Sequence, residues 1–385
     1  MSPSAADSAA LDAFDEAQLQ RALALAQRAV GLSDPNPRVG CVLHDAQGQF
    51  AGEGHTLQAG GPHAEVMALR DAAARAVPVT GGTAWVSLEP CAHHGRTPPC
   101  CDALIAAGLR RVVVALVDPF DQVSGQGIAR LRAAGMQVDV APPQGEVARA
   151  AQDLNIGFLS RILRGRPWLR LKIAASLDGR TALADGRSQW ITGPAARADG
   201  HAWRRRAGAI LTGIGTVLAD DPRLDVRLVD THHQPLRVVA DSAFRTPPSA
   251  RILTEPGRAR VVGALPHDDR MTALQDGGAQ VLLLPGLSDQ VDLSAILTGL
   301  ATEGVNEVHV EAGATLNAAL WLAGWVDELL VYLAPTLLGP GRDFMALPGL
   351  PKLSQARPMH FQNLQQIGDD LCVLARVDGA DAFLI

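Results

Sequence analysis

The chain has 385 residues against a usual domain of about 150, so two domains are expected. Hydrophobic residues make up 47% and charged residues 19%, which supports packed cores and excludes disorder as the main state. Thirty-four Lys and Arg against 40 Asp and Glu give a net charge of −6, so there is no general electrostatic drive toward nucleic acid, only room for a local basic patch.

Residues 1–14 are small and polar and are expected to fray. They have no basic start and no apolar stretch, so no secretory signal is expected. Residues 16–30 are rich in Ala and Leu at helical spacing, and Gly31 is a good stop. Asp34-Pro35-Asn36-Pro37 excludes helix and reads as a loop. Residues 39–43 and 49–54 read as a hairpin turning at 45–48. A helix is predicted at 64–75, a strand at 83–87, a helix at 100–107 ended by Gly108, and an apolar strand at 111–117. Helix 127–134, strand 137–140 and one long helix at 146–163 complete the first series. Arg164-Gly165-Arg166-Pro167 reads as a basic linker, which divides the chain into residues 1–164 and 165–385. The second series opens with a strand at 168–174. Apolar strands recur at 209–211, 237–241, 259–263, 280–284, 307–310 and 328–333, with helical stretches between several of them. Strands alternating with helices predict a mainly parallel sheet with helices on both faces. The uncharged run 207–219 contains three glycines and falls short of the ~20 apolar residues that span a bilayer.

Five cysteines do not make a disulfide framework. Cys41, Cys91, Cys100 and Cys101 fall in the first third, and Cys372 stands alone. That clustering favours a metal or reactive site in a reducing, cytoplasmic compartment. His63-Ala64-Glu65 is followed by Glu89-Pro90-Cys91 and then Cys100. One imidazole and two thiolates suit zinc and leave the fourth position for a water whose pKa the metal lowers. Glu65 is two residues past His63, ~200° around a regular helix. Both reach one site only if His63 sits in a non-helical first turn, and Pro62 supports that. Cys100 follows Pro98-Pro99 and opens a helix, whose N-terminus lowers a thiol pKa. Zinc nucleobase deaminases carry His-x-Glu and then Pro-Cys-x-x-Cys, with the Glu as proton shuttle. Here residues 92–99 separate the cysteines. A closed structural zinc site, with His93, His94 or Cys101 as fourth ligand, is the alternative; such sites usually use closer cysteine pairs. Cys41 lies in an apolar strand and reads as a buried small hydrophobe.

The longer stretch Glu89-Pro-Cys-Ala-His-His-Gly-Arg-Thr-Pro-Pro-Cys100 resembles the bifunctional riboflavin-biosynthesis deaminase–reductase family, whose version has this inserted loop. Asn36-Pro-Arg-Val-Gly-Cys41 and Pro62-His-Ala-Glu65 agree with it. So do Leu171-Lys-Ile-Ala-Ala-Ser-Leu-Asp-Gly-Arg-Thr181, Ser188-Gln-Trp-Ile-Thr192, Thr216-Val-Leu-Ala-Asp-Asp-Pro222 and Val310-Glu-Ala-Gly313. The resemblance covers about residues 16–375. It implies an α/β protein of two domains: an N-terminal cytidine-deaminase-like α/β/α sandwich and a C-terminal dihydrofolate-reductase-like α/β domain. It implies hydrolysis of the 2-amino group of 2,5-diamino-6-(ribosylamino)-4-pyrimidinone 5′-phosphate, then NADPH-dependent reduction of ribosylamino to ribitylamino. The product is 5-amino-6-(ribitylamino)uracil 5′-phosphate. One Zn²⁺ per chain, NADPH and pyrimidine ribotides are the implied ligands. Neither nucleic acid nor membrane is an expected partner, and a homo-oligomer, dimer or tetramer, is expected.

Carried over by position, His63, Cys91 and Cys100 become zinc ligands and Glu65 the shuttle. Asn36, His93 and Arg96 fall at deaminase substrate positions. In the second domain Lys172, Ser188, Arg204, Leu224, Arg227 and Glu311 match substrate-side positions. Ala174, Trp190, Thr216, Asp220, Ser242, Gly313, Ala314 and Thr315 match cofactor-side positions. The chemistry agrees in kind: Arg204 and Arg227 suit a substrate phosphate, and free N–H groups at 313–315 suit a cofactor phosphate. Taken alone, either arginine reads as a solvated surface charge, and Lys172 with Asp178 suits a surface ion pair as well as a site. Two departures stand out. The family often has His where this chain has Thr56, with His55 shifted by one; either His55 substitutes through a bulge or the contact is lost. Its Asp-Pro-Asn-Pro loop appears here as Asp118-Pro-Phe-Asp121.

Gly213-Ile-Gly215 lacks the third glycine of a dinucleotide fingerprint and reads as a tight turn. His232-His233 reads as a solvated loop. Of the tryptophans, Trp190 is the one expected near a ligand. An RNA deaminase would need a basic face, for which Arg204-Arg205-Arg206 is the only cluster. A non-enzymatic protein with a structural zinc is the other rival.

Overall fold

The computed structural model describes residues 11–93, 98–119, 124–254 and 256–384. The chain falls into two compact units, Met1–Arg164 and Gly165–Ile385.

In the first unit, α1 (Ala13–Ala26) starts at Asp12, whose carboxylate accepts from Asp15 N at 2.8 Å. β1 (Gly40–His44) and β2 (Phe50–His55) form the expected hairpin. Asp45 shapes its turn by accepting from Gln47 N and Gln49 N. α2 (Ala64–Ala74) lies close on β2: a Cβ on Gly52 would stand 2.6 Å from Ala68 O. β3 (Thr83–Val86), α3 (Cys100–Ala106), β4 (Arg111–Val114), α4 (Gln126–Ala133) and β5 (Gln137–Val140) follow. The strand order is β2-β1-β3-β4-β5; β1 is antiparallel to both neighbours, and β3, β4 and β5 are parallel. One apolar layer gathers Cys41, Leu43, Val86 and Leu104, and another gathers Leu19, Trp85, Val113 and Val147.

The helix expected at 146–163 is two helices, α5 (Glu146–Leu154) and α6 (Ile156–Arg164). Asn155 breaks it, at φ −102° and ψ 14°. Its Oδ1 accepts from Arg38 N at 2.7 Å and its Nδ2 donates to Arg38 O at 3.0 Å. Hydrophobic spacing continues through such a break, so periodicity alone reads one helix.

The second unit contains β6 (Trp168–Ser176), β7 (Arg180–Leu183), α7 (Pro194–Arg206), β8 (Ala209–Gly213), α8 (Ile214–Asp220) and β9 (Leu236–Ala240). Then come α9 (Arg251–Thr254), β10 (Ala259–Gly263), α10 (Asp268–Asp276), β11 (Gln280–Leu283), α11 (Leu293–Thr302) and β12 (Glu307–Val310). α12 (Ala314–Leu322), β13 (Glu328–Ala334), β14 (Gly341–Asp343), β15 (Met359–Ile367) and β16 (Asp370–Val377) complete it. The main sheet runs β11-β10-β9-β8-β12-β6-β13-β16-β15, parallel from β11 to β13 and antiparallel at β16 and β15. The closing hairpin and the small β7–β14 pair are additions to the expected strands.

The two faces of β6, β12 and β13 differ in kind. Leu169, Leu171, Ile173, Val308 and Val310 join an apolar core. The alternate residues of the same strands form a buried ionic layer. Arg170 meets Glu307 at 2.8 Å and Glu328 at 2.7 Å, and Arg206 meets Glu307 at 2.8 Å. Alternation places these charges together on one face.

Candidate functional sites

In the first unit His63 is the N-cap of α2, with φ −78° and ψ 170°. That extended backbone turns its ring toward the position Glu65 reaches from inside the helix. Cys91 follows the turn after β3, and Cys100 is the first residue of α3. His63 Nδ1 lies 3.3 Å from Cys100 Sγ and 3.7 Å from Cys91 Sγ. A tetrahedral zinc with bonds of about 2.0 and 2.3 Å has N–S edges of about 3.6 Å, so the three donors fit that ion. They are the one such His/Cys/Asp/Glu group among the described residues.

Cys100 N donates to Cys91 Sγ at 3.3 Å, and the neighbouring Cys100 thiol and the His63 ring also hold the Cys91 thiol well below its usual pKa. Glu65 is 3% exposed. Burial, reinforced by the Cys91 sulfur, pushes its carboxyl up to about 7, while His63 and a hydrogen bond from Cys100 oppose the shift. Cys101 is fully buried and donates to Pro90 O at 3.2 Å. Burial keeps its thiol protonated, so its chemistry is that of a packed thiol.

Sequence reasoning missed Glu89. Its buried carboxylate accepts from Asp118 N, Gly125 N and Ile128 N at 3.0 to 3.2 Å, tying Cys91 to the entry of α4. A Glu directly before Pro-Cys was the available signal. Asn36 sits in a loop closed by its N–H on Ser33 O at 2.9 Å, and Arg38 anchors that loop by donating to Leu154 O at 2.9 Å. His93 is half-buried, two residues after Cys91. Arg96 and His94 lie outside the described residues, as does part of the Asp118–Asp121 stretch. β2 has no bulge at His55, which pairs in register with Gly40. The buried Thr56, not His55, therefore continues the face of Gly52 and Gly54.

Every second-domain site residue named from the sequence lines a single cleft of about 1360 Å³. It opens at the carboxyl ends of the parallel strands, where ligands bind in open α/β sheets. Glu311 follows β12 and is the hub. Arg204 of α7 grips it with Nε at 2.5 Å and Nη2 at 3.0 Å, and Lys172 Nζ stands 3.6 Å away. These cations hold the Glu311 carboxyl well below its usual range against the opposing effect of burial. So Arg204 is a part-buried ion-pair partner, not a solvated charge. Arg227 and Arg223 both pair with Asp225. Asp178 does not meet Lys172: it accepts from Ser176 Oγ, Leu338 N and Gly339 N.

Trp190 is 68% exposed at the cleft, with the Arg197 guanidinium 4.7 Å from its ring centroid. Gly313 is the N-cap of α12. Gly213 and Gly215, read as a simple turn, also line the cleft, and so does Tyr332, whose hydroxyl donates to Asp199 at 2.5 Å. His232 and His233 are exposed, as expected.

Residues 12–116 match the family described as the cytidine and deoxycytidylate deaminase zinc-binding region, and residues 167–373 match the RibD C-terminal domain. The riboflavin biosynthesis protein RibD of Escherichia coli K12 is 46% identical, over 93% of this chain and 98% of its own. The solved structure of Acinetobacter baumannii RibD is 40% identical with a TM-score of 0.83, covering 94% of this chain and 98% of its own. That of a Thermotoga maritima diaminohydroxyphosphoribosylaminopyrimidine deaminase/5-amino-6-(5-phosphoribosylamino)uracil reductase is 29% identical, also at 0.83, covering 94% and 99%.

Proposed function

The chain belongs to the RibD family of riboflavin biosynthesis proteins, and from that premise we propose how its residues divide the work. It is a bifunctional deaminase and reductase with a zinc-binding deaminase domain and an NADPH-dependent reductase domain. Its first reaction replaces the 2-amino group of the diamino pyrimidine ribotide with a carbonyl and releases ammonia. Its second reduces the ribosylamino group to ribitylamino. Residues 1–164 carry the first and residues 165–385 the second.

His63, Cys91 and Cys100 hold the zinc. When bound, the ion supplies Lewis acidity that makes water a nucleophile near neutral pH. Glu65 takes one proton from the attacking water and passes it to the ring nitrogen, then takes the second from the hydroxyl that the attack has placed on the ring carbon and passes it to the amine, which leaves as ammonia as the carbonyl forms. Asn36, His93 and Arg96 bind the ribotide. The observation that carries this reading is the convergence of His63, Cys91 and Cys100 beside the buried Glu65.

In the reductase cleft, Lys172, Ser188, Arg204, Leu224, Arg227 and Glu311 hold the ribotide. Ala174, Trp190, Thr216, Asp220, Ser242 and 313–315 hold NADPH, which supplies the hydride. Arg204 fixes Glu311 so that Lys172 meets an oriented carboxylate. Arg227, with its head part-exposed, is the better placed of the two arginines for a substrate phosphate.

We further propose a cytoplasmic homo-oligomer, a dimer or tetramer. No described helix is long and apolar enough to cross a membrane. The β15–β16 hairpin exposes Phe361 (70%) and Leu364 (55%) at the sheet edge, a surface suited to a second copy. Nucleic acid is not an expected ligand. The decisive experiment supplies the diamino ribotide with and without NADPH and follows ammonia and NADPH separately. Ammonia in both, and NADPH oxidation only after deamination, is the expected result; NADPH oxidation with no ammonia would overturn the deaminase assignment.

A further inference from the structure

We propose that Arg245 is the side chain by which the reductase domain tells NADPH from NADH, gripping the adenosine 2′-phosphate together with Ser242. The inference rests on the NADPH reading above and names the end of the cleft that this phosphate enters.

Several of the cleft's arginines are already engaged. Arg204 is held by Glu311, and Arg223 and Arg227 by Asp225. Arg197 donates to Thr192 O at 2.7 Å and covers Trp190. Arg245 lines the same cleft, is exposed, and has no side-chain partner among the described residues. An unpartnered guanidinium at a cleft wall has its whole donor fork available for a phosphate.

The turn that carries it is built rigidly. Asp241, at the end of β9, is fully buried, and its Oδ2 accepts from Thr246 N at 2.6 Å and Thr246 Oγ1 at 2.8 Å. Phe244 adopts a left-handed φ of 52° and is 1% exposed. Its ring fills the space that a Cβ on Gly263 would take, 2.2 Å away. Ser242 O accepts from Ala264 N at 3.0 Å and Leu265 N at 2.9 Å, tying the turn to the end of β10. A non-glycine residue held at positive φ marks a conformation that its surroundings impose. The result presents Ser242 and Arg245 from one fixed loop.

Position then distinguishes the two ends of the cofactor. β9 lies three strands from β6, which carries Lys172, or about 14 Å at the usual strand spacing. The reacting end belongs beside Lys172 and Glu311. A dinucleotide stretched along the strand ends brings its adenosine half to the β9 turn. NADPH and NADH differ only in the phosphate on that half.

The test uses the full-length chain and the deaminated ribotide, with ammonia release from the diamino ribotide as the check on folding. Arg245→Gln should lower kcat/KM for NADPH about 10- to 100-fold, mainly through KM, and change that for NADH less than twofold. Arg245→Lys should recover part of the preference, because it restores charge without the fork. Adenosine 2′,5′-bisphosphate should inhibit the unaltered chain better than 5′-AMP and lose that advantage in Arg245→Gln. An unchanged NADPH/NADH ratio, or an equal fall with both cofactors, overturns the proposal. So does a collapse of the ratio in Arg251→Gln alone, which would move the phosphate to α9. No turnover with either cofactor by the unaltered chain would instead overturn the reading on which the proposal rests.

Discussion

Glu65 and His63 share a site because one backbone torsion separates them from a regular helix. His63 is extended at ψ 170°, whereas Glu65 already lies within α2. Glu65→Gln keeps the size and removes the group that accepts and returns protons. Ammonia release should fall by about 10³- to 10⁴-fold, at the high end for a positioned acid/base because several transfers depend on it. Zinc content, read by metal analysis, and NADPH oxidation on the deaminated ribotide should stay as they are. Near-normal ammonia release would remove Glu65 from the mechanism, and lost zinc would make it a ligand.

His309 bears on stability. It is fully buried on β12, 3.6 Å from Glu311, and burial, helped by Arg170, Arg204 and Lys172, lowers its pKa to about 3 from an ordinary 6.5. The unfolded chain therefore binds a proton below pH 6.5 that the folded chain refuses until about pH 3. Folding stability is complete above that window and is lost as pH falls through it. At pH 5 the loss from this one group is about 2 kcal/mol. Urea midpoints for reductase activity, measured at pH 7 and pH 5, should converge in His309→Gln relative to the unaltered chain. Parallel acid losses in both proteins would place the titration elsewhere.

At the scale of elements, Asn155 couples a helix break to a site loop. Its amide satisfies both backbone groups of Arg38, two residues after Asn36. Asn155→Ala removes two hydrogen bonds to the Arg38 backbone in a buried setting, at a cost of about 1–3 kcal/mol. The loop carrying Asn36 should loosen, so KM for the diamino ribotide should rise more than kcat falls. Steady-state kinetics with urea unfolding checks both, and an unchanged KM would detach Asn36 from substrate binding. A single Asn within an Ala/Leu-rich stretch gives no warning of this role in the sequence. Its partner is 117 positions away.

At the scale of the whole molecule, two chemistries sit in two units with separate cores. Chelating the zinc from the intact protein should abolish ammonia release. NADPH oxidation on the deaminated ribotide should continue at its original rate, because the metal donors His63, Cys91 and Cys100 all belong to the first unit. Returning zinc should restore ammonia release in proportion to metal bound. Joint loss of both activities would mean that the reductase cleft depends on the metal.

What was legible in the chain itself was chemistry tied to short spacing. His-x-Glu, Pro-Cys and the cysteine behind a double proline announce a zinc donor set, since ligand type and local backbone constraint are written within a few residues of each other. Most strands and helices were legible for the same reason, because their periods are local. Tertiary structure alone decided the rest. It made Arg204 a clamp on Glu311, though in sequence it is one of three consecutive arginines. It turned the alternate residues of β6, β12 and β13 into a buried ionic layer, where each strand by itself reads as apolar with exposed charges. It also broke the 146–163 helix, placed Thr56 rather than His55 on the α2 face of β2, and gathered residues from 172 to 315 into one cleft. A charged side chain's role depends on which partner lies across a sheet or under a helix, and that partner is distant in sequence. No local period encodes it; only the packed fold brings the two charges together.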